Sequence, residues 1–163
     1  MASERLIVNA SPLIFLTRVG GLDWIVRLTD AAVLVPQAVL GEVEAGDGGA
    51  AIATRIHGDA GFFIVPDVPV PAVVTAWDLG AGETQVLAHC CHQPGLIAVF
   101  DDKAARQCAV GLGVRMLGTI GVVLVAKRRG WIPHARQVIE HLQAQGMFLS
   151  ADLIATALQD VGE

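Results

Sequence analysis

The feature that most limits how this chain can fold is its alternation of short, wholly apolar runs with longer segments of helical period. Leu96-Ile97-Ala98-Val99-Phe100 carries no polar side chain at all. A strand apolar on both sides must be covered on both sides, which is the situation of a central strand in a parallel sheet. Further short runs read as strands at Arg5–Val8, Ala31–Val35, Gly61–Val65 and Val114–Leu117. Parallel neighbours cannot be joined by a tight turn and need a crossover, usually a helix. The alternation therefore predicts an α/β fold, a parallel sheet with helices on both faces, in one domain over residues 1–163.

Helix signals fill the gaps between the runs. Ser11 reads as an N-cap, with Pro12 at the first helical position. A second helix is expected over Leu22–Leu28, and a third from Pro36 to about Ala45, where Gly46-Asp47-Gly48-Gly49 breaks it. Helical pieces follow at Ala50–Ile56, Glu83–His92 and Ala104–Val110. Thr119 is expected to cap a helix through Arg129, and His134–Gln145 and Ser150–Gln159 close the chain. Pro66–Asp78, with three prolines, reads as irregular or as a short helical excursion.

Composition narrows the function classes. Hydrophobic residues make up 53% of the 163 positions and charged ones 17%, which excludes a disordered or solvating chain. Such apolarity favours additional buried surface, such as a dimer interface. The apolar stretch Met116–Ala126 is too short to span a bilayer. The N-terminus lacks the pattern of a secretory signal, and three cysteines make no disulfide framework, so a cytoplasmic protein is expected. A net charge of −5 argues against coating nucleic acid through the overall field, but a carboxylate site needs only local positive charge.

Four acids stand out. Asp101 and Asp102 follow the central apolar run, at the carboxyl end of a strand, where open parallel sheets place their sites. Glu83 shares a helical stripe with Val86, Leu87 and Cys90, and Glu42 lies beside Val39 and Val43 on another. Carboxylates on core-facing stripes are rare unless paired or holding a metal. Several meeting at one sheet end would repel one another unless a divalent cation neutralised them. Plainer readings are a first-turn charge for Glu83, a solvated flank for Glu42, and a helix cap for one of Asp101 and Asp102.

Taken in order, these segments resemble the PIN-domain nucleases, and among them the VapC-like toxin ribonucleases of toxin–antitoxin pairs. The resemblance rests on Val8 through Ile14, Val35-Pro36 with Val39 through Val43, and Leu79-Gly80-Ala81-Gly82-Glu83. It continues through Asp101-Asp102-Lys103-Ala104-Ala105-Arg106 and Gly118-Thr119-Ile120-Gly121 with Ala126-Lys127. It implies a PIN-like three-layer fold with a central five-stranded parallel sheet, and an acidic pocket holding one or two Mg²⁺ or Mn²⁺ ions. It further implies cleavage of RNA by metal-activated water, a small cognate antitoxin as partner, and a homodimer. The family's acid after the first strand falls on Asn9, its helix glutamate on Glu42, its third acid on Glu83, and its fourth on Asp101 or Asp102. Asn9 offers an amide oxygen but no charge. Lys103 and Arg106 could hold a phosphate, as could the helix N-termini at Ser11 and Thr119; simple surface cations and plain capping are the competing readings.

Other chemistries fit less well. His89 and His92 share a helix face, but no second ligand pair follows for zinc, and packed Cys90 with solvated histidines is the plainer expectation. No glycine fingerprint follows the first strand, so a dinucleotide site is not expected. The main rival is a catalytically weak or inactive PIN-like module that binds RNA or a protein.

Overall fold

The computed structural model describes residues 4–163. Five strands form one sheet: β1 (Arg5–Val8), β2 (Val33–Pro36), β3 (Phe62–Val65), β4 (Leu96–Val99) and β5 (Arg115–Leu117). Every pairing is parallel, in the order β3-β2-β1-β4-β5. The alternation of apolar runs with helical segments thus yields the expected five-stranded parallel sheet flanked by helices. Strands β1, β2 and β4 are buried at nearly every position, whereas the edge strands β3 and β5 are largely half-exposed.

The first three helices are α1 (Ala10–Arg18), α2 (Leu22–Val26) and α3 (Gln37–Ala45). They are followed by α4 (Gly49–Gly58), α5 (Ala72–Thr75) and α6 (Ala81–His92). The last four are α7 (Lys103–Leu112), α8 (Thr119–Arg128), α9 (Ala135–Ala144) and α10 (Ala151–Asp160). Most agree with expectation within two residues, the short α5 being the helical excursion in the proline-rich segment. The second helix ends at Val26 rather than Leu28, and β2 starts at Val33 rather than Ala31. The main core gathers the sheet with α1, α3, α4, α6 and α7, and includes the fully buried Ile7, Leu13, Leu87 and Phe100. A second cluster joins α8, α9 and α10 around Val123, Ile139, Leu142 and Leu158.

Two expected caps are displaced. The half-in residue of α1 is Asn9, with extended backbone, so Ser11 lies in the first turn and Pro12 is its third residue. Proline is still accommodated there, because first-turn N–H groups have no intrahelical acceptor. Gly118 occupies the N-cap of α8, and Thr119 is its first helical residue. His89 also differs from expectation, whereas His92 is solvent-exposed as expected. His89 is buried and donates through Nε2 to the Pro66 carbonyl at 3.1 Å, while the exposed His92 donates to that of Pro69 at 2.8 Å. Both rings thus pin the proline-rich segment against α6, and burial lowers the pKa of His89.

Helix α9 is capped from a distance. The Glu163 carboxylate accepts the backbone N–H groups of Arg136 at 3.0 Å and Ala135 at 2.8 Å, and pairs with Lys127 at 3.2 Å. Led by the Arg136 N–H, these donors hold its pKa at about 2, against an ordinary 4.5. A depressed folded pKa gives stability that is present above the unfolded value and lost as pH falls toward the folded one. Glu163→Gln is therefore expected to lower the thermal midpoint at neutral pH. The deficit should shrink as pH falls from about 4.5 toward 2, and a pH-independent deficit in thermal scans would remove the charge from this clamp.

Candidate functional site

The strand order reverses between β1 and β4, since β2 and β3 extend the sheet one way and β5 the other. Val8 pairs with Val99, and the Asn9 N–H continues the ladder to the Val99 carbonyl at 2.9 Å. Asn9 and the Phe100-Asp101-Asp102 segment therefore leave the sheet side by side, in the crevice where doubly wound sheets bind ligands.

Asn9 is 2% exposed, and its side chain does not cap α1. Its Nδ2 donates to Glu83 Oε1 at 2.9 Å, across 74 residues of sequence. An ionised carboxylate only accepts, so the amide nitrogen is fixed on that side and Oδ1 faces away from Glu83. Oδ1 is buried and receives no hydrogen bond. It lies 2.5 Å from the place a Cβ on Gly82 would occupy, and so does Glu42 Oε2. Glu42 Oε1 accepts the Gly82 N–H at 2.8 Å. Gly82, in the first turn of α6, is thus a floor whose missing side chain lets two acceptor oxygens crowd together. A buried acceptor without a donor costs about 1–3 kcal/mol. A cation or a water molecule is what such a pair calls for.

Asp101 is held differently. Its Oδ1 accepts the Thr119 N–H at 2.7 Å, and its Oδ2 accepts the hydroxyls of Thr119 at 2.7 Å and Ser11 at 3.1 Å. The carboxylate caps α8 in trans and ties α1 to it. The hydroxyls of Ser11 and Thr119 are therefore already committed to a protein acceptor. Asp102 caps α7, its Oδ2 accepting the Ala105 N–H at 2.9 Å, and stands exposed. Lys103 is exposed in the first turn of α7, and half-buried Arg106 donates through Nη1 to the Phe100 carbonyl at 3.3 Å.

One cleft of about 340 Å³ brings Ser11, Glu83, Asp101 and Asp102 together, with Phe15, Met147 and Phe148 on its wall. Glu83 belongs to both halves of the site, lining this cleft while it holds Asn9. Asp101 also lines a neighbouring hollow of about 390 Å³ with Lys103 and Arg106. A larger cleft of about 590 Å³, between α9 and α10 around Glu163, shares none of these residues. Among the described residues no three His, Cys, Asp or Glu side chains stand close enough to hold an ion by themselves. Among the described residues, Asn9 Oδ1, Glu42 Oε2, Glu83 Oε2 and Asp102 Oδ1 meet no hydrogen-bond donor.

A family model described as a PIN domain matches residues 5–163. The chain belongs to the PIN-domain family. A structure of the PIN domain endonuclease Utp24 is similar to it, with a TM-score of 0.54 over 70% of this chain and 84% of that one. At 15% identity that likeness concerns the fold alone. No curated protein sequence matches this one significantly.

Within this PIN domain, sequence reasoning left two features unassigned. Gly82 was part of a recognisable motif, yet its role as a floor follows only from the approach of Asn9 and Glu42 from other elements. Phe148 sits in a loop with no periodic signal, and its place at the cleft is a matter of tertiary packing. The Asn9 amide provides a direct test. Asn9→Asp replaces a donor to Glu83 with a second carboxylate, so metal-free stability should fall by about 1–3 kcal/mol in chemical denaturation. The same variant should bind Mn²⁺ more tightly in calorimetry. Unchanged stability would remove the Asn9–Glu83 contact from this account.

Proposed function

We propose that this PIN domain is a metal-dependent endoribonuclease and the toxin component of a toxin–antitoxin pair. The observation that carries the reading is the orphaned Asn9 Oδ1, which, like Glu42 Oε2, lies 2.5 Å from the place a Cβ on Gly82 would occupy. Hard cations such as Mg²⁺ and Mn²⁺ take oxygen ligands, and Mg²⁺ keeps several of its waters, so one or two carboxylates and an amide suffice. The residues present fit that group. Asn9, Glu42 and Glu83 would hold it, with Asp102 or Asp101 on the far wall of the cleft. When bound, the ion supplies an activated water and charge stabilisation for the phosphate.

The chain's own residues do the remaining work. Asn9 fixes the Glu83 carboxylate by one oxygen and leaves the other without a hydrogen bond. Asp101, saturated by three donors, holds α1, α8 and the end of β4 in register beneath the reacting phosphate. Lys103 and Arg106 flank Asp101 and offer positive charge to the RNA backbone in a protein that is otherwise acidic. The antitoxin and the homodimer belong to the same proposal. They are supported by exposed apolar side chains such as Val110 and Trp77, which a partner could cover.

A second reading, a PIN module that binds without cutting, is favoured by one observation: Asn9 contributes no charge where a carboxylate would strengthen ion binding. The two differ in their response to metal. A ligand bound only by the native state stabilises it by about 2.7 kcal/mol at a hundredfold excess over Kd. For a domain of this size that is roughly a 5–10 °C rise in Tm. Mn²⁺ is expected to raise Tm in that manner, and Gly82→Ala, whose Cβ would collide with Asn9 and Glu42, is expected to abolish the rise. Glu83→Gln keeps an acceptor for Asn9 and should leave the fold intact while eliminating metal-dependent RNA cleavage. Full cleavage by that variant would dismiss Glu83 from the site.

A further inference from the structure

Phe148 is 92% exposed, more than any other large apolar side chain among the described residues. It lies between α9 and α10 in a loop whose two ends are tied to the helices. The Met147 N–H donates to the Leu142 carbonyl at 3.0 Å, and the neighbouring Gly146 adopts a φ of +98°. Ser150 caps α10 through the Leu153 N–H, and Arg18 of α1 donates to the Gln145 carbonyl at 3.4 Å. The chain is thus tied on both sides of Phe148, whose ring stands in water. An aromatic side chain left in water forgoes the transfer free energy of burial, so a ring placed there is free to meet an apolar ligand.

Its surroundings say which one. Phe148 lines the acidic cleft with Glu83, Asp101 and Asp102, and also lines a second cleft of about 420 Å³ between α8 and α10. That second cleft starts at Asp101 and Arg106 and continues over apolar Met116, Ile120 and Leu153. The ring stands at the junction of an acidic floor, where Arg106 beside Asp101 is the cation on hand for a phosphate, and an apolar trough large enough for a heterocycle. A nucleotide joins those two chemistries in one covalent unit. Resting on the ribonuclease reading above, we propose that Phe148 is a stacking platform for an unpaired base of the RNA next to the scissile phosphate, with the α8–α10 trough receiving that base. Every base presents a π-face, so the platform tolerates sequence and selects for single strands over duplex, whose bases are already stacked. Phe148 is then a positioning residue that contributes binding and takes no part in the chemistry.

Binding of a short, fluorescently labelled single-stranded RNA, read by anisotropy in a Glu83→Gln background, tests this. Phe148→Ala and Phe148→Leu should each weaken binding by roughly 5- to 150-fold, the range expected for loss of one base stack. Phe148→Trp should retain affinity, because the ring rather than its apolarity is required. Neither loss should alter the salt dependence, whereas Arg106→Ala should lower its slope by about 0.7 for one phosphate contact. Replacing the bases one at a time by abasic nucleotides should reveal one position whose loss is no longer additive with Phe148→Ala. Thermal midpoints should not change, the ring being exposed. Equal affinity of the Phe148, Ala and Leu proteins overturns the platform and leaves the nuclease reading standing. So does a Phe148→Ala protein whose sedimentation shifts to a smaller species with RNA affinity unchanged, which would give this face to a protein partner. Absence of any RNA binding by the Phe148 protein ends both proposals together.

Discussion

The hydrogen bond from the Asn9 amide to Glu83 is the contact on which the rest of the site depends. It joins the end of β1 to the first turn of α6 and, by fixing the amide, decides which way a buried oxygen faces. Four acidic side chains, Glu42, Glu83, Asp101 and Asp102, come to the carboxyl end of one sheet, and Coulomb repulsion opposes their meeting. No salt bridge within the described residues involves any of them. They are instead held by neutral donors, mostly the backbone N–H groups of helix first turns: Gly82 for Glu42, Thr119 for Asp101 and Ala105 for Asp102. Helix N-termini carry partial positive charge, each worth about 0.3–1 kcal/mol to a nearby carboxylate. The fold thus assembles an acidic crevice whose carboxylates are met by neutral donors and not by salt bridges.

Much of this is legible in the amino-acid sequence. The wholly apolar β4 run and the period change on either side of it determine a parallel sheet, because the pattern reports burial directly. Glu42 and Glu83 were visible as carboxylates on core-facing stripes, an arrangement that requires tertiary partners. The partners themselves were not. Ser11 and Thr119 carry the residue types of helix caps, yet each lies inside its helix, and their hydroxyls meet at Asp101 from 90 and 18 residues away. Capping rules operate within a few residues and cannot anticipate a cap supplied by another element, whether Asp101 over α8 or Glu163 over α9. The burial of His89 is hidden for a similar reason: its acceptor, the Pro66 carbonyl, belongs to an irregular segment whose path has no sequence period.

The lone pairs of the acidic group divide it into two kinds of residue. Asp101 accepts three hydrogen bonds, from Ser11 and from both the N–H and hydroxyl of Thr119. A carboxylate so fully engaged is a strut, and pulling it toward a ligand would strand three donors at about 1–3 kcal/mol each. Glu42, Glu83 and Asp102 each give one oxygen to the protein and keep one free, so they are oriented without being used up. That is the state in which a side chain can meet a ligand without first breaking a contact, which is what preorganisation means in energetic terms. Asp101 and Asp102, adjacent in sequence and alike in chemistry, therefore part company in structure: one holds the crevice together, and the other stands at its edge with an oxygen to spare.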